Sequence, residues 1–265
     1  MKPIANLRRV YAGSALAFLL LTCALRLEAA SISILHHFGT GIDGQYPQGL
    51  IAAGTLLYGL APDGGSTNDG ILYRINTNGT GYQILHTFGG NDGYYPDGFA
   101  LAGSTIFGLT ANGGSSTVGG TLYRVNTDGT HFQVLYRFPA AASPYGNLTV
   151  IGSTIYGSSG GTIFSVNSDG TGYRDLHSIS SAHALTVVGS VLYGTNDSPS
   201  TVFRMNTDGT GFQTLHLFDL SSYTYAPLIP AGTALYGTTW GGGDFGKGSV
   251  YRINDDGTGF PSVPI

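Results

Sequence analysis

The sequence is poor in cysteine and in charged side chains, and both shortages restrict what the protein can do. Only one of its 265 residues is cysteine, and 10% are Asp, Glu, Lys or Arg. Cys23 and the single glutamate, Glu28, both lie within the first 29 residues. Disulfide bonds, thiol catalysis and cysteine-ligated metal sites are therefore excluded for residues 30–265.

The remaining charges and apolar runs exclude two further classes of partner. After residue 29 every acidic side chain is an aspartate, and the aspartates outnumber the arginines and Lys247. A chain with this negative balance lacks the basic surface that nucleic acids require. No apolar run after residue 29 reaches the roughly 20 residues of a membrane span. We therefore predict no nucleic-acid partner and no membrane span in the mature chain.

Residues 1–29 have the features of a signal peptide. Lys2, Arg8 and Arg9 form a basic start, and an apolar stretch and a small-residue cleavage site follow them. The apolar stretch is shorter than a bilayer span, so a signal peptide explains it better than the alternative, a retained N-terminal anchor. The prediction is an exported protein, which is secreted, periplasmic or held at the cell surface.

Glycine and aromatic residues, in contrast, are abundant, with 43 Gly, 17 Tyr and 13 Phe. This composition favours many short strands joined by tight turns, and no helical pattern follows residue 29. One unit, an aromatic strand followed by Asn-x-Asp/Asn-Gly-Thr, recurs five times and begins at Ile71, Thr121, Thr162, Thr201 and Ser249. Because a unit of this size cannot bury its own apolar face, the copies must stack or close into a ring.

Each repeat predicts four antiparallel strands. In the first copy these are strand A (49–53), strand B (55–60), strand C (71–76) and strand D (82–88). The Asn78-Gly79 pair between strands C and D predicts a hairpin turn with positive φ at both central residues. Four strands in about 40–50 residues are typical of a β-propeller blade. A solenoid is the alternative architecture.

The two ends of the repeat region indicate a closed ring. Residues 31–38 match strand D of a repeat, whereas the last copy ends after strand C and its turn, where two prolines oppose a regular strand. The N-terminal strand can therefore pair with the last blade and complete it. We predict an all-β fold, with a single β-propeller domain of five four-stranded blades at residues 30–265. An open fragment of a longer array is the alternative, although closure would remove the exposed strand edges.

Three phrases carry a family resemblance: Asn-Thr-Asp-Gly-Thr-Gly-Phe, Leu-His-x-Phe and Leu-Tyr-Gly-x-Thr. They resemble the GloVer tandem repeat of bacterial exported proteins, and the likeness covers residues 31–260. The resemblance implies a secreted or surface-held propeller-like protein, and it transfers no catalytic residues. Such proteins are often attached by a C-terminal sorting segment, which the residues after Phe260 do not resemble. The hairpin is also similar to the Asn-x-Asp-Gly-Ser turn of TolB-type propellers.

The recurring turns are interpreted as structural, because Asx side chains bond the backbone of such turns. The alternative, a Ca²⁺ site, would need more carboxylates in each loop. The turn residues are Asn76, Asn78, Gly79, Asn126, Asp128, Gly129, Asn167, Asp169, Gly170, Asn206, Asp208, Gly209, Asn254, Asp256 and Gly257. No Walker loop, Gly-x-Ser-x-Gly elbow or zincin motif occurs, so we predict no cofactor and no metal.

Two further residue types recur with the repeat. Arginines follow the strand C aromatic at positions 74, 124, 204 and 252, and histidines lie on strand D at positions 36, 86, 177 and 216. We expect each arginine to form a surface ion pair with a nearby turn aspartate; an anion-binding ring is the alternative. The histidines are expected to pack between repeats, because separate blades would hold them too far apart to share a metal.

The long and dissimilar loops fall on one face of the predicted propeller. Function tends to lie in variable loops on a rigid scaffold. Their aromatic and acidic side chains predict a ligand site formed from Tyr46, Asp92, Tyr94, Tyr95, Asp97, Tyr145, Tyr223, Tyr225, Trp240 and Asp244. Such rings beside Asp suit sugars and also protein partners, while some of them would pack the loops together.

Three functions remain open from the sequence. The first is an exported, non-catalytic binding module that uses the loop face for a glycan or a cell-surface protein. A local similarity to tachylectin-type lectins, without their tryptophan-rich sugar motif, favours carbohydrate. The second is a structural envelope repeat protein without a small ligand. The third, an Asp-dependent polysaccharide hydrolase or lyase, is weakened by the absence of glutamate from residues 30–265.

Overall fold

Every regular element that the structure describes is a β-strand, apart from one short 3-10 turn at Gly90–Asp92. The computed structural model describes residues 32–39, 41–113, 118–180, 182–219 and 221–259. The signal peptide predicted for residues 1–29 lies outside these residues and stays a prediction. The chain divides into two units, Met1–Ser33 and Ile34–Ile265, and all strands belong to the second.

The strands form five antiparallel sheets, numbered here along the chain. Sheet 1 contains β1 (Gln48–Ala53), β2 (Leu56–Ala61), β3 (Ile71–Asn76) and β4 (Gln83–Thr87). Sheet 2 contains β5 (Tyr94–Ala102), β6 (Thr105–Asn112), β7 (Val118–Asn126) and β8 (Gln133–Pro139). Sheet 3 contains β9 (Pro144–Ile151), β10 (Thr154–Ser159), β11 (Thr162–Asn167) and β12 (Arg174–Ser178). Sheet 4 contains β13 (Ala182–Val188), β14 (Val191–Asp197), β15 (Ser200–Asn206) and β16 (Gln213–Leu217), and sheet 5 contains β17 (Ile229–Ala231), β18 (Ala234–Thr239) and β19 (Ser249–Asn254).

Within each sheet the strands follow chain order, so each sheet is a meander of sequential strands. This confirms the predicted all-β class and the four-strand pattern of the repeat in sheets 1 to 4. The first strands of neighbouring sheets contact one another, β1 with β5, β5 with β9 and β9 with β13. We call this side of each sheet its inner edge.

Sheet 5 has three strands among the described residues, and not the predicted four. Residues 32–39 belong to no strand, and the structure shows no ladder between them and β19. Residues 34–38 lie instead against sheet 1, where the ring of His36 stacks on Tyr82 at 3.9 Å and Phe38 contacts Tyr73. Closure of a five-bladed ring by this segment therefore stays a prediction.

The recurring Tyr-Gly or Phe-Gly pair of the second strand has a steric explanation. In every sheet the aromatic ring of the third strand lies across the glycine of the second; the pairs are Gly59–Tyr73, Gly108–Tyr123, Gly157–Phe164, Gly194–Phe203 and Gly237–Tyr251. A Cβ added at Gly194 would lie 2.4 Å from Cζ of Phe203. Glycine is therefore needed here for the close approach of a ring and not for a turn.

The hydrophobic core lies between neighbouring sheets, in separate clusters. Tyr58, Leu60 and Leu72 on one face of sheet 1 pack against Ile106 and Tyr123 of sheet 2. The same arrangement joins sheets 2 and 3, sheets 3 and 4, and sheets 4 and 5. Full burial of one such side chain contributes about 1.5–3 kcal/mol, so these clusters hold the array together.

The hairpins between the third and fourth strands are not of the expected turn type. The Gly79 N–H donates to the Asn76 carbonyl, and the Asn76 N–H donates to the Thr80 carbonyl, both at 2.9 Å. Gly79 has a φ of 82°, whereas Asn78 has no positive φ. The loop is therefore a type I turn followed by a left-handed glycine. The prediction of positive φ at both central residues was wrong, because the Asn78 side chain accepts the Thr80 N–H from the right-handed conformation.

The aspartates of the later turns have lowered pKa values. In the second turn, Asp128 Oδ1 accepts the Thr130 hydroxyl at 2.6 Å and the Thr130 N–H at 2.9 Å. The same two hydrogen bonds recur at Asp169, Asp208 and Asp256. Because they favour the ionised carboxyl, they lower the pKa of all four aspartates below the usual 3.8.

We expect the free energy of unfolding to fall as the pH drops from about 4 through the lowered pKa of these four aspartates. A carboxyl with a lower pKa in the folded chain stabilises fully above its unfolded pKa, and this contribution disappears once the folded form is protonated. Urea unfolding between about pH 5 and pH 2 measures the loss. The D128N/D169N/D208N/D256N variant, which copies the Asn78 turn, should show a flatter profile. An unchanged profile would contradict this account.

Candidate ligand-binding face

Five rings form a continuous row on the side of the sheets that carries the long loops. The members are Tyr145 at the start of β9, His183 at the start of β13, Tyr225 and Tyr223 before β17, and Trp240 after β18. Sheets 3, 4 and 5 each contribute to the row, so only the packing of neighbouring sheets brings these residues together. We call this set the aromatic row.

Neighbouring rings of the aromatic row are in contact. Tyr145 and His183 have centroids 5.3 Å apart, and His183 meets Tyr225 edge to face at 5.0 Å. Tyr225 and Tyr223 are parallel at 6.1 Å, and Tyr223 lies 6.2 Å from Trp240. The Trp240 N–H also donates to the Tyr223 carbonyl at 2.8 Å, which fixes this end of the row. These separations are those of attractive aromatic pairs.

The aromatic row is half-buried at the Tyr145 end and most exposed at Trp240. Tyr145 and His183 are half-buried, whereas Tyr225 is 48% exposed and Trp240 is 76% exposed. Each exposed ring is supported by a neighbour, so the row can accept a ligand with little loss of side-chain freedom. The exposed rings offer apolar surface whose burial by a ligand is favourable.

A His–Asp pair lies within the aromatic row. His183 Nε2 is 3.1 Å from Asp197 Oδ2, at the end of β14. Two other such pairs are His36–Asp43 and His86–Asp92, in which a histidine of β4, or of residues 34–38 at the equivalent position, meets the loop that follows. His183 lies instead on an inner-edge strand, where the register places Gln48 in sheet 1 and Asp97 in sheet 2. This pair therefore belongs to the row and not to the repeat.

Sequence reasoning missed His183 and Asp197. The available signal was the departure of strand A from the pattern of the other copies, with a histidine where Gln48 and Asp97 stand. Asp197 gave no signal, because it lies in a tight turn whose position beside His183 depends on the pairing of β13 with β14.

Asp97, a predicted ligand residue, links three sheets. Its Oδ2 accepts the Gly146 N–H at 2.8 Å, and its Oδ1 accepts the Gln48 side-chain amide at 3.4 Å. Gly146 in turn lies against the His183 carbonyl, which a Cβ would approach to 2.4 Å. Both carboxylate oxygens of Asp97 thus have partners, and Asp97 positions Tyr145 through the adjacent Gly146.

Asp92, also a predicted ligand residue, contacts both sheet 1 and sheet 2. Its side chain lies 3.1 Å from His86 Nε2, and its carbonyl accepts the Thr121 hydroxyl at 2.7 Å. Burial lowers the pKa of His86, although Asp92 acts in the opposite direction. The His86 ring stacks on Phe132 of the next sheet at 3.5 Å. Asp92 therefore stabilises a junction between sheets.

The remaining predicted site residues have no recorded ring contact with the aromatic row among the described residues. Tyr94 and Tyr95 are adjacent at the start of β5, and Tyr95 has a φ of 61°. Tyr46, with a φ of 56°, and Asp244 are exposed on other loops. Of the ten predicted residues, the structure brings Tyr145, Tyr223, Tyr225 and Trp240 together.

The recurring arginines join neighbouring sheets through the backbone. Arg74 Nη1 donates to the Thr127 carbonyl at 3.1 Å, and Arg204 Nη1 donates to the Asp255 carbonyl at 3.0 Å. Arg124 makes the equivalent contact with the next sheet. The recorded hydrogen-bond partner is a turn carbonyl, and the positive charges of Arg124 and Arg204 also help to lower the pKa of the turn aspartates Asp169 and Asp256. The carbonyl accepts because it points out of the hairpin toward the preceding sheet.

Within the part of the chain that the structure describes, no three His, Cys, Asp or Glu side chains converge to hold a metal ion. The same residues contain no helix that is long and apolar enough to cross a membrane.

A family model for the Gloeobacter/Verrucomicrobia repeat matches residues 22–197. The chain belongs to this repeat family. The match confirms the resemblance seen in the repeated phrases and covers sheets 1 to 3 and the first two strands of sheet 4. No curated protein matches the chain.

Solved structures share the propeller-like fold of this repeat protein. Oligogalacturonate lyase from Vibrio parahaemolyticus aligns with a TM-score of 0.57 and 12% identity, over 78% of this chain and 61% of that one. Oligogalacturonate lyase in complex with manganese gives 0.55 and 14%, over 78% and 61%. The nidogen/laminin complex gives 0.51 and 18%, over 76% and 72%. The chain thus spans about three fifths of each lyase, and identities this low show the fold alone.

Proposed function

We propose that this repeat protein is an exported, non-catalytic module that binds carbohydrate with the aromatic row. The observation that carries the proposal is a set of five contacting rings, supplied by three sheets and most exposed at Trp240. Sugars present apolar C–H faces that pack on aromatic rings, and hydroxyls that bond polar groups nearby. Export is part of the proposal and rests on the signal peptide predicted at residues 1–29.

The dimensions and polar groups of the aromatic row favour an oligosaccharide. The row runs through four successive ring contacts, which is longer than a single sugar ring. His183 lies at its half-buried end, where Asp197 pairs with its Nε2, and this gives the row a polar end. Stacking at the exposed end and hydrogen bonding at the other would fix the direction of a bound chain.

The positions of the aspartates favour binding over hydrolysis. Glycoside hydrolysis commonly needs two carboxyl groups that face the substrate. Asp97 uses both oxygens to join sheets, and Asp92 is paired with His86. Asp197 is the one aspartate for which the structure records a contact with a member of the aromatic row, and it pairs there with His183.

We expect the Trp240→Ala/Tyr225→Ala variant to lose binding to glycans that the parent chain retains. An aromatic contact contributes about 0.5–1.5 kcal/mol, so the loss of two contacts should raise the dissociation constant roughly 5- to 100-fold. A screen on an array of bacterial and plant glycans finds the ligand, and titration calorimetry measures the affinities. Phe245→Ala is the matched control, because Phe245 is exposed on the same loop as Trp240.

The controls decide between the remaining functions. Equal losses in the Phe245→Ala control and in the double variant would place the ligand elsewhere on the loop face. A folded parent chain that binds no glycan would overturn the carbohydrate proposal. That outcome would favour a cell-surface protein partner, for which exposed Tyr and Trp are common anchors, or a structural envelope role.

A further inference from the structure

Sheet 5 exposes a face that every earlier sheet buries. The residue directly before the aromatic ring of the third strand is fully covered by the next sheet in sheets 1 to 4; these residues are Leu72, Leu122, Ile163 and Val202. The equivalent residue of β19, Val250, is 72% exposed. Nearby Tyr236 is also exposed, whereas its counterpart Tyr193 is buried. Sheet 5 thus presents an apolar face that is shaped like the other sheet interfaces but has no sheet packed on it in the described chain.

Sheet 1 exposes the complementary face. Leu50 of β1 is 62% exposed, whereas its counterparts in the other sheets, Phe99, Leu148, Leu185 and Leu228, are 2–6% exposed. Beside Leu50 lies a concavity of about 460 Å³, which Leu35, Phe38, Leu57 and Tyr73 also line. In sheets 2 to 5 the equivalent side packs against the preceding sheet, on the face that carries the counterpart of Val250.

Residues 34–38 already occupy the place of a fourth strand from a preceding sheet. Gly79 lies against the backbone of Leu35 as Gly129 lies against Leu85. His36 stacks on Tyr82 at 3.9 Å, and the same stack joins His86 to Phe132 and His177 to Phe212 in later sheets. The segment is therefore held on sheet 1 in the position from which it could pair with a third strand such as β19.

The recurring arginines show that the exposed faces of sheets 1 and 5 also match in their polar groups. Three of these arginines donate to the carbonyl of the second turn residue in the next sheet, at Thr127, Ser168 and Asp255. Arg252 of sheet 5 is exposed instead. The equivalent carbonyl on sheet 1 belongs to Thr77, so the two exposed faces match in polar groups as well as in apolar ones.

We propose that a second copy of this chain docks its sheet 1, with residues 34–38, onto sheet 5 of the first copy. The contact would bury Val250 and Leu50, place Arg252 against the Thr77 carbonyl and add a strand to the edge of β19 that no described strand occupies. The four interfaces within the chain are already complete at their centres. In the described chain Val250 and Leu50 are both exposed, so its own sheet 1 does not cover sheet 5 there, and a second copy can dock without any change in the chain. The interface is head to tail, so each copy offers one face of each kind.

Sedimentation velocity of the full chain over a range of concentrations tests this inference. We expect the parent chain to associate as its concentration rises, and Val250→Asp or Leu50→Asp to weaken association about a hundredfold or more by burying an unpaired carboxylate. A mixture of the two variants should form one-to-one dimers and nothing larger, because each retains the face that the other lacks. Ile151→Asp is the matched control at an exposed site on sheet 3 and should associate like the parent.

Three results would overturn the inference. In the first, the parent associates but a mixture of the two variants stays monomeric. In the second, the Leu50→Asp variant associates like the parent. The third is a parent chain that stays monomeric at all concentrations while hydrogen exchange shows β19 amides protected on both edges, which would show closure within one chain.

Discussion

Replacing Gly98 with alanine is expected to lower the free energy of unfolding by about 3 kcal/mol or more, which corresponds to roughly 6–12 °C in the melting temperature. A Cβ at Gly98 would lie 1.7 Å from the Gly146 carbonyl oxygen. The neighbour is backbone on β9, so no side-chain rotation can relieve the clash. The inner edges of sheets 2 and 3 must separate, and the hydrogen bond from Gly146 to Asp97 is lost with them.

Gly39→Ala is the matched control for this variant. A Cβ at Gly39 meets nothing within 4 Å, and this glycine has no positive φ. Its free energy of unfolding should stay within about 0.5 kcal/mol of the parent. Urea titration and calorimetry measure both variants. Equal stabilities of the two would show that the inner edges are not in the close contact that Asp97 and Gly146 imply.

Phe203→Ala is expected to destabilise the chain by about 3–5 kcal/mol. Phe203 is fully buried between sheets 3 and 4, and its ring lies across Gly194 and contacts Phe212 at 5.3 Å. Gly194→Ala alone should also destabilise the chain, by about 1–3 kcal/mol, because the added methyl group would overlap the Phe203 ring. In the double variant the methyl group occupies space that the ring has left. The double variant should therefore be more stable than the sum of the two single changes predicts.

Urea unfolding of the parent, both single variants and the double variant completes the thermodynamic cycle. The expected interaction energy is about 1–2 kcal/mol in the favourable direction. Additive effects would show that the repeat needs this glycine for its backbone conformation and not for the close approach of the aromatic ring. Gly232→Ala is unsuitable as a control, because its φ of 63° adds backbone strain although its surroundings are open.

The candidate site was predicted in part. Tyr145, Tyr223, Tyr225 and Trp240 were selected because aromatic residues in long loops stand out from the repeat. Asp92 and Asp97 were selected by the same reasoning, but the structure uses them to join strands and sheets. His183 was missed because its departure from Gln48 and Asp97 in the other copies indicates a ligand site only once its ring partners are known. Loop residues can be listed from sequence, but their neighbours depend on how consecutive sheets are packed.

The repeating unit can be read from the sequence, because strand alternation, turn glycines and the Tyr-Gly pair are local signals that each copy repeats. Sheets 1 to 4, with four sequential antiparallel strands each, follow from those signals. The long-range contacts, in contrast, are known only from the folded chain. The fold placed residues 34–38 on sheet 1, left Val250 exposed and aligned the five rings from three sheets. The physical reason is that local pattern sets the shape of one sheet, whereas the packing angles between sheets determine which distant side chains meet.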